Sequence, residues 1–154
     1  MSERMKGAVN RMEVCLPAIS VNEGLARAVV AAFCAKAGAS TTELADIKCA
    51  VSEAVTNAIV HAYPSKAGKC YITVRHFTDK TLVVTIRDTG CGIADIRRAR
   101  EPLFTTDAAG ERSGMGFTVM ENFMDRLYVT SKRGKGTTVT LCKQIGRETE
   151  ALSE

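Results

Sequence analysis

The sequence has no apolar stretch of the roughly 18 residues that a membrane span needs, and its first residues include charged Glu3, Arg4 and Lys6 rather than a signal-peptide pattern. It has no Cys-x-x-Cys pair. Its six cysteines, Cys15, Cys34, Cys49, Cys70, Cys91 and Cys142, are scattered with no histidine at ligand spacing, which argues against a disulfide framework and a zinc site. Most sit among apolar neighbours, as reduced core thiols do, so a reducing cytoplasm is the expected compartment. No basic run with interleaved aromatics is present, and 21 basic against 17 acidic residues leave a net charge of only +4, so no electrostatic footprint for nucleic acid is visible. Repeats and low-complexity tracts are also missing.

What is present is an ordinary globular composition, 45% hydrophobic and 25% charged over 154 residues, which fits one folded domain. Residues 12–16 read as a short strand. Ser20 with Glu23, and Ser40 with Glu43, have capping-box spacing. They predict a helix from Val21 to about Ala37, closed by Gly38, and a second to about His61, broken by Tyr63 and Pro64. Leu44, Ile47, Val51, Val55 and Ala58 form the second helix's apolar stripe. Residues 70–77 and 81–88 predict a hairpin, 95–100 a short helical piece, 114–124 a helix, and 127–131 with 137–143 a closing hairpin. This order predicts an α/β two-layer sandwich, a mixed β-sheet covered by helices on one face. The domain spans 12–145, between a flexible N-terminus (1–11) and a flexible tail (146–154).

Three segments have the residue types of a nucleotide site. Glu53 and Asn57, four apart, project from one helix face, where a carboxylate and a carboxamide can share a magnesium-phosphate site; alone, such a pair is also a plain polar helix edge. Asp88-Thr89-Gly90-Cys91-Gly92 follows an apolar strand, and its acceptor-only carboxylate suits adenine's amine over guanine's carbonyl, although the segment also fits a simple glycine turn. Arg112-Ser113-Gly114-Met115-Gly116-Phe117 puts glycines at a helix entry, where free N–H groups attract phosphate. The polar interval from Gly92 to Gly114 has the length of a lid or a long loop. His61 suits a helix C-terminus, and Met115, Met120 and Met124 suit core positions. Arg27 is a lone charge on an apolar helix, either snorkelling or touching a partner.

In this order the three segments resemble the N, G1 and G2 boxes of the GHKL ATPase and kinase superfamily. Residues 51–59 (Val-Ser-Glu-Ala-Val-Thr-Asn-Ala-Ile), 85–88, 102–106 (Pro-Leu-Phe-Thr-Thr) and 111–117 are similar to the anti-sigma F factor family, and the similarity extends over 12–143. The resemblance implies a Bergerat-type ATP-binding fold and a homodimer. It further implies an ATP-dependent inhibitory complex with the sporulation sigma factor F, and Mg2+-dependent phosphorylation of a serine on an anti-anti-sigma factor. No direct nucleic-acid or membrane partner is implied. Glu53 would be the general base and Asn57 a magnesium ligand. Asp88 would receive the adenine amine, helped by Thr137, with Gly90 and Gly92 lining the base. Gly114 and Gly116 would cradle phosphates together with Ser113 and Met115, Thr105 and Thr106 would contribute from the lid, Arg112 would reach the γ-phosphate, and Arg27 would contact a partner. Alternatives are an anti-sigma kinase of a stress-response sigma factor, a detached histidine-kinase catalytic domain, and a nucleotide-gated inhibitor without kinase activity.

Overall fold

The computed structural model describes residues 7–64, 67–101 and 116–146. Five strands, β1 (Ala8–Pro17), β2 (Lys69–Phe77), β3 (Thr81–Asp88), β4 (Arg126–Lys132) and β5 (Gly136–Gln144), form one sheet in the order β1-β2-β3-β5-β4. Every neighbouring pair is antiparallel, so the sheet expected to be mixed is antiparallel throughout. Hairpins join β2 to β3 and β4 to β5, and β5 then lies against β3, a pairing that local turn signals do not encode. β1 begins at Ala8, so Ala8, Asn10 and Arg11, expected in a flexible N-terminus, pair with β2, with a shift of register at Val9.

Alternation puts Met12, Val14 and Leu16 of β1 opposite Val74, Ile72 and Cys70 of β2, all on the face that the helices cover. Leu82, Val84 and Ile86 of β3 and Val139 and Leu141 of β5 continue that layer. Onto it pack α1 (Val21–Lys36) through Ala26, Val30 and Cys34, and α2 (Thr41–Asn57) through Ile47, Ala50, Val51, Ala54 and Val55. The four-residue α3 (Ile96–Ala99) follows β3, and α4 (Gly116–Phe123) buries Phe117 and Met120. Fully buried side chains such as Ile47, Ile72, Leu82 and Leu141 each stabilise the fold by about 1.5–3 kcal/mol. Among the described residues no helix is long and apolar enough to cross a membrane.

Helix ends follow local chemistry in two places and depart from it in two. Gly38, at φ 106°, ends α1, with Gly38 N–H bonded to Ala35 O and Ala39 N–H to Cys34 O, both at 3.1 Å. Ser40 and Glu43 form the expected capping box, Glu43 N–H donating to Ser40 Oγ at 3.1 Å and Ser40 N–H to Glu43 Oε1 at 2.8 Å. Ser20 and Glu23 do not. Ser20 has helical backbone angles and makes no side-chain cap, and the Glu23 carboxylate is taken by the Ser52 hydroxyl and by Arg27, 3.5 Å away. The second departure is at the end of α2, where the helix widens into a π-helical turn over Ala58–Ala62.

The cysteines divide between core and surface. Cys34 and Cys70 are buried, and burial pushes both thiols up to about 12. Cys142 is half-buried, while Cys15, Cys49 and Cys91 are exposed because their strand, helix and loop positions face outward, so fewer than expected are core thiols.

Candidate active site

Glu53 and Asn57 are half-buried near the C-terminus of α2, on the side that meets the start of α4. A Cβ built on Gly116 would stand 3.4 Å from Glu53 Oε2 and 3.5 and 3.6 Å from the two terminal atoms of Asn57. The carboxylate, the carboxamide and the first residue of α4 therefore share one small volume. Two hard oxygen donors from one helix are the kind of incomplete set with which Mg2+ is held when phosphate oxygens and waters complete its shell, so these residues fit that ion. Lys143 helps to set the position of α4: its ammonium donates to Phe123 O, at the C-terminus of that helix, at 2.8 Å, and lies 3.4 Å from Asp46 of α2.

Asp88 ends β3 with its side chain turned to the helical layer and only 8% of the residue exposed. Its Oδ1 accepts the Gly90 N–H at 3.0 Å and the Thr137 N–H at 3.2 Å, and among the described residues none donates to Oδ2. Burial raises the carboxyl above the usual range, and the two N–H donors and Arg87 oppose that shift. A buried acceptor with one oxygen left over is what recognition of an exocyclic amine requires. Thr137 thus reaches Asp88 through its backbone. Its hydroxyl is 2.8 Å from Ser131 Oγ, which also accepts the Ile93 N–H at 2.7 Å and donates to Gly136 O at 3.0 Å.

The loop after Asp88 is gripped from two sides. The π-helical turn supplies Ala62 O to the Cys91 N–H at 2.8 Å, and His61 O to the Cys91 thiol at 3.2 Å. The β4–β5 hairpin supplies the Gly134 N–H to Cys91 O at 2.7 Å. Gly90 lies so close to the turn that a Cβ would fall 2.1 Å from Ala62 O, and Gly92 faces Lys132 O in the hairpin. The missing side chains of both glycines therefore make room for neighbouring protein backbone.

Of the residues singled out in the sequence, Glu53, Asn57 and Gly116 come together. Asp88, Gly90, Gly92 and Thr137 form a second cluster, joined to the first through α2 and the π-helical turn. Arg27 lies on α1, 45% exposed, paired to Glu23. Thr105, Thr106, Arg112, Ser113, Gly114, Met115 and the lid interval lie outside the described residues. Three contributors escaped the sequence reading. In the sequence Tyr63 stands out as a helix breaker, Ser131 as a strand end and Gly136 as part of the turn between the closing strands. Gly134 and Gly136, on either side of Lys135, are the one local signal among them.

Residues 16–143 match the histidine kinase-like ATPase domain family. The chain is 52% identical over 139 residues to an anti-sigma F factor of Caldanaerobacter subterraneus, covering 90% of this chain and 96% of that protein. It is 49% identical over 139 residues to the anti-sigma F factor of Bacillus subtilis, covering 90% and 94%. The RsbU and RsbW domains of a Mycobacterium tuberculosis protein share the fold, with a TM-score of 0.67 at 21% identity over 89% of this chain, which spans 33% of that solved chain. A buried carboxylate after an apolar strand, a Glu-x-x-x-Asn helix meeting a glycine-opened helix, and these matches lead to one conclusion: the chain belongs to the histidine kinase-like ATPase domain family, among the anti-sigma F factors.

Proposed function

We propose that this chain is a cytoplasmic anti-sigma factor that holds a sporulation sigma factor F in an ATP-dependent inhibitory complex and phosphorylates a serine of an anti-anti-sigma factor. The observation that carries the reading is the meeting of Glu53 and Asn57 with Gly116 at the start of α4, on the same continuous segment that grips the Asp88 loop. The names of the relatives support the sigma-factor half of the proposal, and the ATPase family supports the nucleotide half.

Asp88 takes the adenine amine, and Gly116 with the residues before it receives phosphate. Asn57 would hold Mg2+, whose charge offsets that of the phosphates in the transfer. The serine oxygen bonds to the γ-phosphorus as the bond to the β–γ bridging oxygen breaks, and Glu53 accepts the hydroxyl proton. Thr105, Thr106, Arg112, Ser113, Gly114 and Met115 belong to the phosphate side of this scheme by resemblance. Arg27, exposed on α1, offers its guanidinium to a partner, and the working unit is a homodimer.

The test is incubation of the purified chain with labelled ATP, Mg2+ and the anti-anti-sigma protein, with pull-down of the sigma factor in ATP and in ADP. Acid-stable label on the anti-anti-sigma protein and retention of sigma with ATP are expected. Sigma retention without label would leave a nucleotide-gated inhibitor, and acid-labile label would indicate a histidine kinase.

A further inference from the structure

The last rung of the β2–β3 ladder pairs Cys70 with Asp88, which makes Lys69 and Thr89 the next residues along the two strands. They do not bond to each other directly. The Tyr63 hydroxyl stands between them, accepting the Thr89 N–H at 2.8 Å and donating to Lys69 O at 2.7 Å, with Thr89 Oγ1 3.3 Å away. The ring gets there because Gly68 has no side chain: a Cβ at Gly68 would fall 2.3 Å from the Tyr63 ring. The phenol thus ends the ladder immediately after Asp88. It holds the chain open at the point where Thr89 and Gly90 leave the sheet and the Gly90 N–H turns back to Asp88 Oδ1.

We propose that Tyr63 is a positioning residue for base recognition: by splitting the rung beyond Asp88, its hydroxyl fixes the turn that aims the Asp88 carboxylate at the exocyclic amine. The inference rests on the reading of Asp88 as the adenine acceptor. Without the hydroxyl, the Thr89 N–H is free to bond Lys69 O directly, the ladder lengthens by one rung, and the turn carrying the Gly90 N–H is drawn toward the sheet. A tyrosine that merely filled space would affect every nucleotide alike, whereas one that aims Asp88 affects only a nucleotide bearing the amine.

The experiment compares the full-length protein with Y63F, which keeps the ring. Affinities for ATP and for purine riboside triphosphate, which lacks the 6-amino group, are measured by calorimetry at a temperature where circular dichroism shows both proteins folded. The expected result is a loss of about three- to tenfold for ATP in Y63F, with affinity for the analogue within about twofold of the parent protein. Equal losses for both nucleotides, or no loss for either, would overturn the role of Tyr63. If the parent protein itself binds the two equally, the fault lies with Asp88 as amine acceptor, and the proposal goes with it. G68A, which displaces the ring from the other side, is expected to show the same amine-dependent loss.

Discussion

Gly136 stands against the backbone of Asp88: a Cβ on Gly136 would lie 2.1 Å from the Asp88 carbonyl oxygen, and the residue has φ 116°. Both features exclude a side chain. G136A is therefore expected to cost about 1–3 kcal/mol in backbone strain alone, and to push β5 away from Asp88. Chemical denaturation should show the lost stability, and calorimetry a loss of ATP affinity larger than that of a variant equally destabilised at a site in the distant part of the sheet.

Glu53→Gln keeps the shape of the side chain beside Gly116 but removes the proton acceptor. Phosphorylation of the serine substrate is expected to fall by about 10²–10⁴-fold, with ATP affinity and sigma-factor retention little changed. Single-turnover transfer measured beside nucleotide titration checks both halves; retained transfer would remove Glu53 from the role of base.

Asp88→Asn should separate stability from binding. Because burial raises the Asp88 carboxyl above its unfolded value, the folded state holds that proton more tightly. The group's contribution to stability is complete below the ordinary aspartate range and is lost as pH rises through the raised value. D88N lacks the titrating group, so without nucleotide its melting temperature is expected to gain on that of the parent protein as pH rises through the raised value. ATP affinity should fall about ten- to a hundredfold, since the amide can turn a donor toward the adenine amine. Thermal melts across pH and calorimetry with ATP are the two measurements.

Thiol labelling should follow burial. Cys34 and Cys70, both raised to about 12 in the core, are expected to resist iodoacetamide in the folded protein, while exposed Cys15, Cys49 and Cys91 react. Cys91, in the loop after Asp88, should be protected by ATP, and the other two should not. Peptide mass mapping with and without nucleotide reads this directly.

Features set by neighbours in the chain were legible in the sequence. The Ser40–Glu43 cap, the Gly38 stop, the alternation in β3 and the Glu53–Asn57 pair depend on residues a few positions apart. The failures involve distance. Glu23 has the spacing of a cap, but its carboxylate is claimed by Ser52, 29 residues away. The element order predicts a mixed sheet because hairpin signals are silent on how β5 meets β3, and the two strands are antiparallel. Asp88 was recognised from its own glycine-rich context, yet the Thr137 N–H that steadies it comes from 49 residues downstream, and Tyr63 and Ser131 became visible only once the strands were placed.

The π-helical turn over Ala58–Ala62 constrains the length of this segment as well as its composition. Such a turn accommodates one residue more than an α-helix would over the same path. A further residue inserted among the five has no such turn to absorb it and would swing Tyr63 around the axis by about 100°. The hydroxyl would then miss Thr89, and the Ala62 carbonyl would miss Cys91. Homologues should therefore tolerate changes of side chain here far better than the gain of a further position.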